Sequence, residues 1–168
     1  MKLPSLLLAA LVLLSAAGCK PKVRHSTDFE RKQAANLASE AQFAITLRDF
    51  ARAEPLLDKA AQLCPDVPDA WLQLAAVRVK MGEKARARPA YEAGLKALRA
   101  AYAEDPKLFE PRLQEVYVLA LLGRVDDARD TLTKAQKALP DNRQIRGFID
   151  AKQLDRILAD PNFKELAL

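Results

Sequence analysis

The feature that most constrains this chain is an internal repeat with a period of 34 residues. The sequence ARAEP at residues 51–55 returns as ARARP at residues 85–89. Pro65, Pro106 and Pro140 are separated by 41 and 34 residues, so one insertion of seven residues interrupts the period. A repeat of this length predicts stacked units that bury their apolar faces against their neighbours. Seven residues make nearly two helical turns, so the insertion is predicted to lengthen a helix without turning its buried face away.

The composition predicts that the repeated units are helical. Ala and Leu supply 31 and 27 of the 168 residues, whereas Val and Ile together supply 12. Ala and Leu favour helices and β-branched residues favour strands, so we expect an all-α fold. Thr27-Asp28-Phe29-Glu30 has the pattern of a capping box and predicts where the first helix begins. Pro68 and Pro111 suit the first turns of later helices, where a proline costs no hydrogen bond.

The end of the chain is predicted to cover the open end of the stack. Asp141 and Asn142 can cap a last helix that runs to about Asp160, where Pro161 would stop it. This helix carries more apolar residues than one exposed face needs. We expect Phe163 and Leu166 to fold back on it.

The repeat resembles the tetratricopeptide repeat family. Three copies align at residues 34–67, 68–101 and 109–142, with residues 102–108 as the insertion. The small-residue columns of the family are filled in each copy, as follows: Ala41, Ala75 and Val116; Ala53, Ala87 and Ala128; Ala60, Gly94 and Ala135. Arg48 stands where a turn glycine is usual, and Arg112 where an aromatic residue is usual. The resemblance implies a right-handed superhelical stack of helix pairs, with three repeats and a C-terminal capping helix.

The first 18 residues have the pattern of an export signal. After Met1 and Lys2, residues 3–18 carry no charge; at 16 residues, the run is shorter than the roughly 20 that a membrane-spanning helix needs. Small residues precede Cys19, as at a signal cleavage site. This end resembles the lipobox of bacterial lipoproteins, which implies that Cys19 is the lipidation site and carries acyl chains, including palmitate. A plain secretory signal is the alternative.

Residues 19–27 are predicted to form a basic tether ahead of a tetratricopeptide domain at 28–168. Proline and charge disfavour packing in the tether, so we expect it to contact nothing. Lys20 follows the lipidated cysteine, and by resemblance to Gram-negative lipoproteins a residue other than Asp there implies the outer membrane. The expected location is therefore the bacterial cell envelope, facing the periplasm.

The resemblance also implies a peptide-binding surface. In the family, the first helix of each pair lines a concave face that holds a peptide or a partner's helix. The family's lining positions fall here on Ser39, Gln42, Thr46, Asp69, Gln73, Lys80, Gln114 and Tyr117. Tyr117 is the expected anchor, because an aromatic side chain gives a large contact area at low entropy cost; simple packing is its alternative.

Catalysis, metal binding, cofactors and nucleic acid are not expected. The chain has one histidine, two cysteines and five glycines, too few for a zinc cluster or a phosphate-binding loop. His25 is interpreted as a solvated tether residue, and Cys64 as a buried apolar residue rather than a reactive thiol. The net charge is +5, but acidic and basic residues alternate and form no basic stripe.

The sequence therefore predicts a non-enzymatic, membrane-anchored lipoprotein that binds another protein. As a scaffold or assembly factor it would hold parts of an envelope structure together. The alternatives are a regulator that binds a cell-wall enzyme, and a structural spacer without a peptide site.

Overall fold

A computed structural model describes residues 24–168; the predicted signal segment and Cys19 lie outside this range. Within it the helices are the only regular secondary structure and there is no strand, which confirms the all-α prediction. The helices of this part of the chain are α1 (Asp28–Thr46), α2 (Phe50–Leu63), α3 (Pro68–Lys80), α4 (Lys84–Glu104), α5 (Glu110–Leu121), α6 (Val125–Ala138), α7 (Arg143–Asp150), α8 (Gln153–Ala159) and α9 (Pro161–Leu166).

The first six helices form a stack of pairs. The pairs are α1 with α2, α3 with α4 and α5 with α6, and they stack through α2 on α3 and α4 on α5. The predicted small-residue columns are buried in all three pairs. We call the surface made by α1, α3 and α5, the first helices of the pairs, the inner face.

Gly94 shows why small residues are needed where two helices of a pair meet. A Cβ atom placed on Gly94 would lie 2.5 Å from Cδ2 of Leu72 on the facing helix. This distance is far shorter than van der Waals contact, so a larger residue would force Leu72 or the helix to move. The glycine thus leaves room for the Leu72 side chain where α3 and α4 meet.

The insertion lengthens a helix, as predicted. α4 has 21 residues, whereas α2 and α6, its counterparts in the other pairs, have 14 each. The seven additional residues extend the C-terminal end of α4.

The turn between the two helices of a pair has the same hydrogen bond in all three repeats. The amide of Asp49 donates to the carbonyl of Ala44, Glu83 to Arg78, and Arg124 to Leu119, at 2.8–2.9 Å. This six-residue closure needs a left-handed residue just before the donor. Gly82 and Gly123 fill that position with φ of 80° and 74°, and Arg48 fills it in the first repeat with φ of 58°. The first repeat therefore keeps the turn at a conformational cost that glycine avoids.

The prediction of a single C-terminal helix up to about Asp160 is wrong, because the segment is broken into α7 and α8. Lys152 has a left-handed φ of 51° at the break. Ile145 and Leu154 are nine residues apart and would point to opposite sides of a straight helix. The break lets both be buried, at 0% and 5% exposure.

The end of the predicted tether is packed, contrary to expectation. Ser26 is buried, and its hydroxyl and amide both donate to the carboxylate of Asp66 after α2. Arg31 adds an ion pair to Asp66 at 2.6 Å. Burial raises the pKa of Asp66, but the Ser26 hydrogen bonds and the Arg31 charge outweigh it and leave the pKa below its ordinary value. His25 lies 3.4 Å from Glu104 in the extension of α4, with both side chains more than half exposed.

Candidate protein-binding surface

The eight residues expected to line the peptide site all lie on the first helices of the pairs. Ser39, Gln42 and Thr46 are on α1, Asp69, Gln73 and Lys80 on α3, and Gln114 and Tyr117 on α5. Gln73 is half-buried and the other seven are exposed. The structure divides them between an open and a covered part of the inner face.

An open cleft of about 370 Å³ lies between α1 and α3. Alanines at positions 34, 35, 38 and 70 form much of its lining. Arg31 on α1 and Asp69 on α3 bring opposite charges to it. Because the alanine side chains are short, the cleft has room for the larger side chains of a partner.

A second cleft of about 560 Å³ continues along α3. Its lining includes Ile45 and Phe50 on one side, Val77 and Lys80 on α3, and Leu166 from the C-terminal segment. Gln73 lines both clefts, so they adjoin along this helix.

Gln73 has an unsatisfied acceptor at the junction of the two clefts. Its side-chain carbonyl oxygen Oε1 is buried and has no hydrogen-bond partner among residues 24–168. A buried acceptor without a partner costs free energy, so a donor supplied from outside would be favourable. The amide of a bound peptide is such a donor.

Four of the predicted residues, Ser39, Gln42, Thr46 and Gln114, line neither cleft. Ser39 donates its hydroxyl to the carbonyl of Ala35 at 2.9 Å, and Thr46 donates to Phe43 at 2.6 Å, both within α1. Gln114 is exposed on α5 and lines neither cleft.

The end of the chain covers part of the inner face on α3 and α5. α9 packs against α3 and α5. Phe163 is 6% exposed and meets the ring of Tyr117 edge-on, with centroids 5.4 Å apart. Lys80 pairs with Glu165 at 2.8 Å. Tyr117 and Lys80, two of the predicted site residues, are therefore engaged by the chain's own terminus.

Burial also changes the titration of the tyrosines in this region. It raises the pKa of Tyr117, and the nearby Asp160 charge adds to the effect. It raises the pKa of Tyr91 to about 12. Both hydroxyls therefore stay protonated at neutral pH and can act as hydrogen-bond donors.

Sequence reasoning missed the C-terminal segment as part of this surface. Phe163 and Leu166 are expected to fold back on the last helix, and α9 does contact α8, but it also packs against α3 and α5. The usable signal was Asp160 before Pro161, a cap followed by a first-turn proline, which marks a separate short helix. Asp160 indeed accepts from the amide of Asn162 at 2.7 Å.

A charged cluster beside α5 is structural rather than a site. Glu115 is 2% exposed and is paired with both Arg99 and Arg112. Arg112 lies 3.8 Å above the ring of Tyr102, which belongs to the insertion. The arginine that replaces the usual aromatic residue of the third repeat thus packs on an aromatic ring supplied by the longer helix.

Three further observations bear on the kind of site. Cys64 is 2% exposed, which confirms its interpretation as a buried apolar residue. Among residues 24–168, no three His, Cys, Asp or Glu side chains are grouped so as to hold a metal ion. No helix in that same range has the length and hydropathy to cross a membrane.

The fold and this surface define a helical-repeat interaction module, a stack of helix pairs with an accessible inner face. Residues 34–77 match the sequence model of the tetratricopeptide repeat family, and the match starts at the predicted first residue of the first copy. The match supports the predicted resemblance to the tetratricopeptide repeat family over residues 34–77, which hold the first repeat and the start of the second. Such repeats commonly bind other proteins or peptides and are typically non-catalytic. A search of curated proteins found no match.

Proposed function

We propose that this protein is a lipid-anchored scaffold or assembly factor of the bacterial cell envelope, without catalytic activity of its own. It holds a partner protein on the open cleft between α1 and α3. The observation that carries this proposal is the unpartnered acceptor of Gln73 at the junction of two open clefts. A family whose members bind peptides supplies the context.

The chemistry of the cleft favours a peptide segment over a small polar ligand. Its alanine lining accepts apolar side chains, and Gln73 accepts one main-chain or side-chain donor. Asp69 is exposed at the start of α3. Its negative charge favours a basic residue of the partner beside it. Arg31 already pairs with Asp66, so it attracts an acidic residue of the partner less strongly than an unpaired arginine would.

The anchor is supported by the sequence and by the packing of Ser26. An uncharged segment ends in small residues and Cys19. Ser26 is fixed on the stack through Asp66. Seven residues span at most about 25 Å when extended, so a lipid on Cys19 keeps the stack within that reach of the membrane.

A photo-crosslinking experiment in intact cells tests the binding surface. A photoreactive residue replaces Ala35 in the cleft, Asp69 at its edge, or Lys137 on α6 as the control, since Lys137 is exposed on a second helix. We expect Ala35 and Asp69 to capture the same protein, identified by mass spectrometry, and Lys137 not to capture it. Equal capture from Lys137, or none from the cleft, would refute the proposal.

A cysteine substitution tests the anchor independently. Cys19→Ser removes the thiol that receives the lipid, so the protein should lose acyl chains and leave the membrane fraction. Mass spectrometry of the intact chain and fractionation check this. A wild-type chain without acyl groups would contradict the lipoprotein assignment but not the binding surface.

A further inference from the structure

Residues 161–168 are held in the manner of a bound peptide, by groups on α5 and on α4, the second helix of the middle pair. The amide of Leu168 donates to the carbonyl of Leu121 at 2.8 Å. Lys84 Nζ donates to the carbonyl of Ala167 at 2.6 Å, and the Tyr91 hydroxyl donates to that of Leu166 at 3.5 Å. These groups recognise main-chain atoms, which any peptide presents.

Side chains of the same segment supply the specific contacts. Phe163 and Leu166 are three residues apart and lie on one side of a helical turn. Phe163 meets Tyr117, and Leu166 lines the second cleft. Glu165, between them, pairs with Lys80. The surface thus makes specific contacts with two apolar side chains and one carboxylate.

Several features make this segment separable from the stack. α9 has only six residues, too few for a stable helix without its contacts. It is joined to α8 through Asp160, which has an extended backbone. Lys164 and Glu165 are exposed. Elements with few buried contacts open locally at lower free energy than the core.

We propose that the inner face of α3 and α5 is a docking surface for a short helical segment with Phe and Leu three residues apart and an acid between them. The chain's own residues 161–168 occupy it in cis, and a partner segment of the same chemistry binds by displacing them. The surface is therefore regulated by its own terminus.

The cis arrangement sets how strongly a partner must compete. A segment tethered by a short linker acts at an effective concentration in the millimolar range. The apparent dissociation constant of a partner is its intrinsic value divided by the fraction of open molecules. Weakening the internal segment should therefore tighten binding in trans.

The proposal rests on the inner face being the protein-binding surface, but its test needs no cellular partner. The synthetic peptide PNFKELAL, which is residues 161–168, is titrated into the isotope-labelled full chain in mild detergent, and NMR shifts give its dissociation constant. The chains are wild type, Phe163→Ala, and Phe163→Ala combined with Tyr117→Ala. Phe43→Ala is the matched control, because Phe43 is 59% exposed on α1.

We expect Phe163→Ala to bind the peptide at least about tenfold more tightly than wild type, with shifts at Leu121 and Lys80. The added Tyr117→Ala should abolish most of that gain, and Phe43→Ala should match wild type. The proposal would be overturned if wild type and Phe163→Ala bound the peptide with equal affinity, or if the added Tyr117→Ala left the affinity unchanged. Failure of the crosslinking experiment above would leave this result unaffected.

A charge exchange provides a second test that does not remove apolar contact. The peptide with Lys in place of Glu165 should prefer the Lys80→Glu, Phe163→Ala chain over the Phe163→Ala chain by several-fold. The unmodified peptide should show the opposite preference. If neither peptide discriminates between the two chains, the carboxylate is not recognised and the proposed chemistry is wrong.

Discussion

The two parts of the inner face differ in what lies over them. α1, beside the open cleft, buries only Ala34, Ala41 and Ala44. α5, beneath the C-terminal segment, buries six of its twelve residues, among them Val118, Leu119 and Leu121. The same repeat pattern therefore gives an open surface at one end and a filled one at the other.

The difference teaches that the repeat alone does not decide which surface is free. α5 has α4, α6 and α9 as neighbours, whereas α1 contacts mainly α2. The segment that distinguishes the two parts lies outside the repeats, at residues 161–168. Which part of the inner face is exposed thus depends on residues 161–168 as much as on the repeat.

The largest difference in the free energy of unfolding is expected between a substitution in a buried small-residue column and one in the open cleft. Ala53 is fully buried in α2, so Ala53→Leu should lower the free energy of unfolding by about 1–3 kcal/mol through overpacking. Ala35 is exposed in the cleft, so Ala35→Leu should change the free energy of unfolding by less than about 0.5 kcal/mol. The same substitution should reduce partner capture. Denaturant unfolding and crosslinking yield measure both; the reverse order would mean that the faces are exchanged.

The second comparison sets a covered phenylalanine against an exposed one. Phe163→Ala should cost about 1–2 kcal/mol, less than the usual 3–5 kcal/mol for a core Phe, because the segment detaches once its contacts are weakened. Phe43→Ala should cost less than about 0.5 kcal/mol. Thermal melts test the pair. A loss of 4 kcal/mol at Phe163 would show that the segment belongs to the cooperative core.

α3 borders both parts of the inner face, and Gly94 on α4 leaves room for its Leu72 side chain. Gly94→Ala should lower the free energy of unfolding by up to about 1 kcal/mol, because the overpacking against Leu72 exceeds the gain in helix propensity. Gly147→Ala, in α7, meets no atom within 4 Å and should raise it by up to about 1 kcal/mol through helix propensity. Two changes of the same sign would contradict the proposed close approach.

The turn beside the second cleft distinguishes the first repeat from the others. Arg48→Gly should stabilise the chain by about 0.5–1 kcal/mol, because glycine adopts the left-handed conformation without strain. Arg52→Gly, in the first turn of α2, should instead be destabilising. Chemical denaturation of both variants is the measurement, and a loss of stability at Arg48 would indicate that its side chain makes a contact worth more than the strain.

The smallest effect concerns pH and the covered part alone. The hydrogen bond and charge of Lys80 lower the pKa of Glu165 below 4.5. The stabilisation that the Lys80–Glu165 pair contributes is therefore complete above about pH 4.5. It is lost as the pH falls through the lowered pKa of Glu165. The protection factors of amides 166–168, which compare the observed exchange rate with the intrinsic rate at the same pH, should fall there in wild type. Glu165→Gln should already show lower protection at pH 6 and less further change on acidification.

Much of the fold could be predicted because the signals are local or periodic. The 34-residue period and the alanine columns specify the pairs, and a seven-residue insertion leaves a helix face nearly unchanged. The capping box at Thr27 and Glu30 is present as expected. The left-handed turn at Arg48 follows from its alignment with Gly82, even though arginine disfavours it.

The rest depends on contacts between distant parts of the chain. Ser26 is buried by Asp66, 40 residues away, and a tether rich in charge gives no sign of that. The break at Lys152 follows from where Ile145 and Leu154 find burial, not from a local breaker. The eight predicted site residues fall on the first helices of the pairs. The sequence could not show that Tyr117 and Lys80 contact residues 161–168.

Hydrogen exchange of the full wild-type chain tests the central claim, that a separable segment covers one part of the inner face. The amide of Leu168 is bonded to Leu121, and that of Arg124 closes the turn after α5 through Leu119. We predict that the amides of Ala167 and Leu168 are protected, yet exchange at least about tenfold faster than that of Arg124. Exchange at the same rate as Arg124 would mean that the segment leaves only when the stack unfolds, and no protection at all would mean that it does not cover the surface; either result contradicts the account.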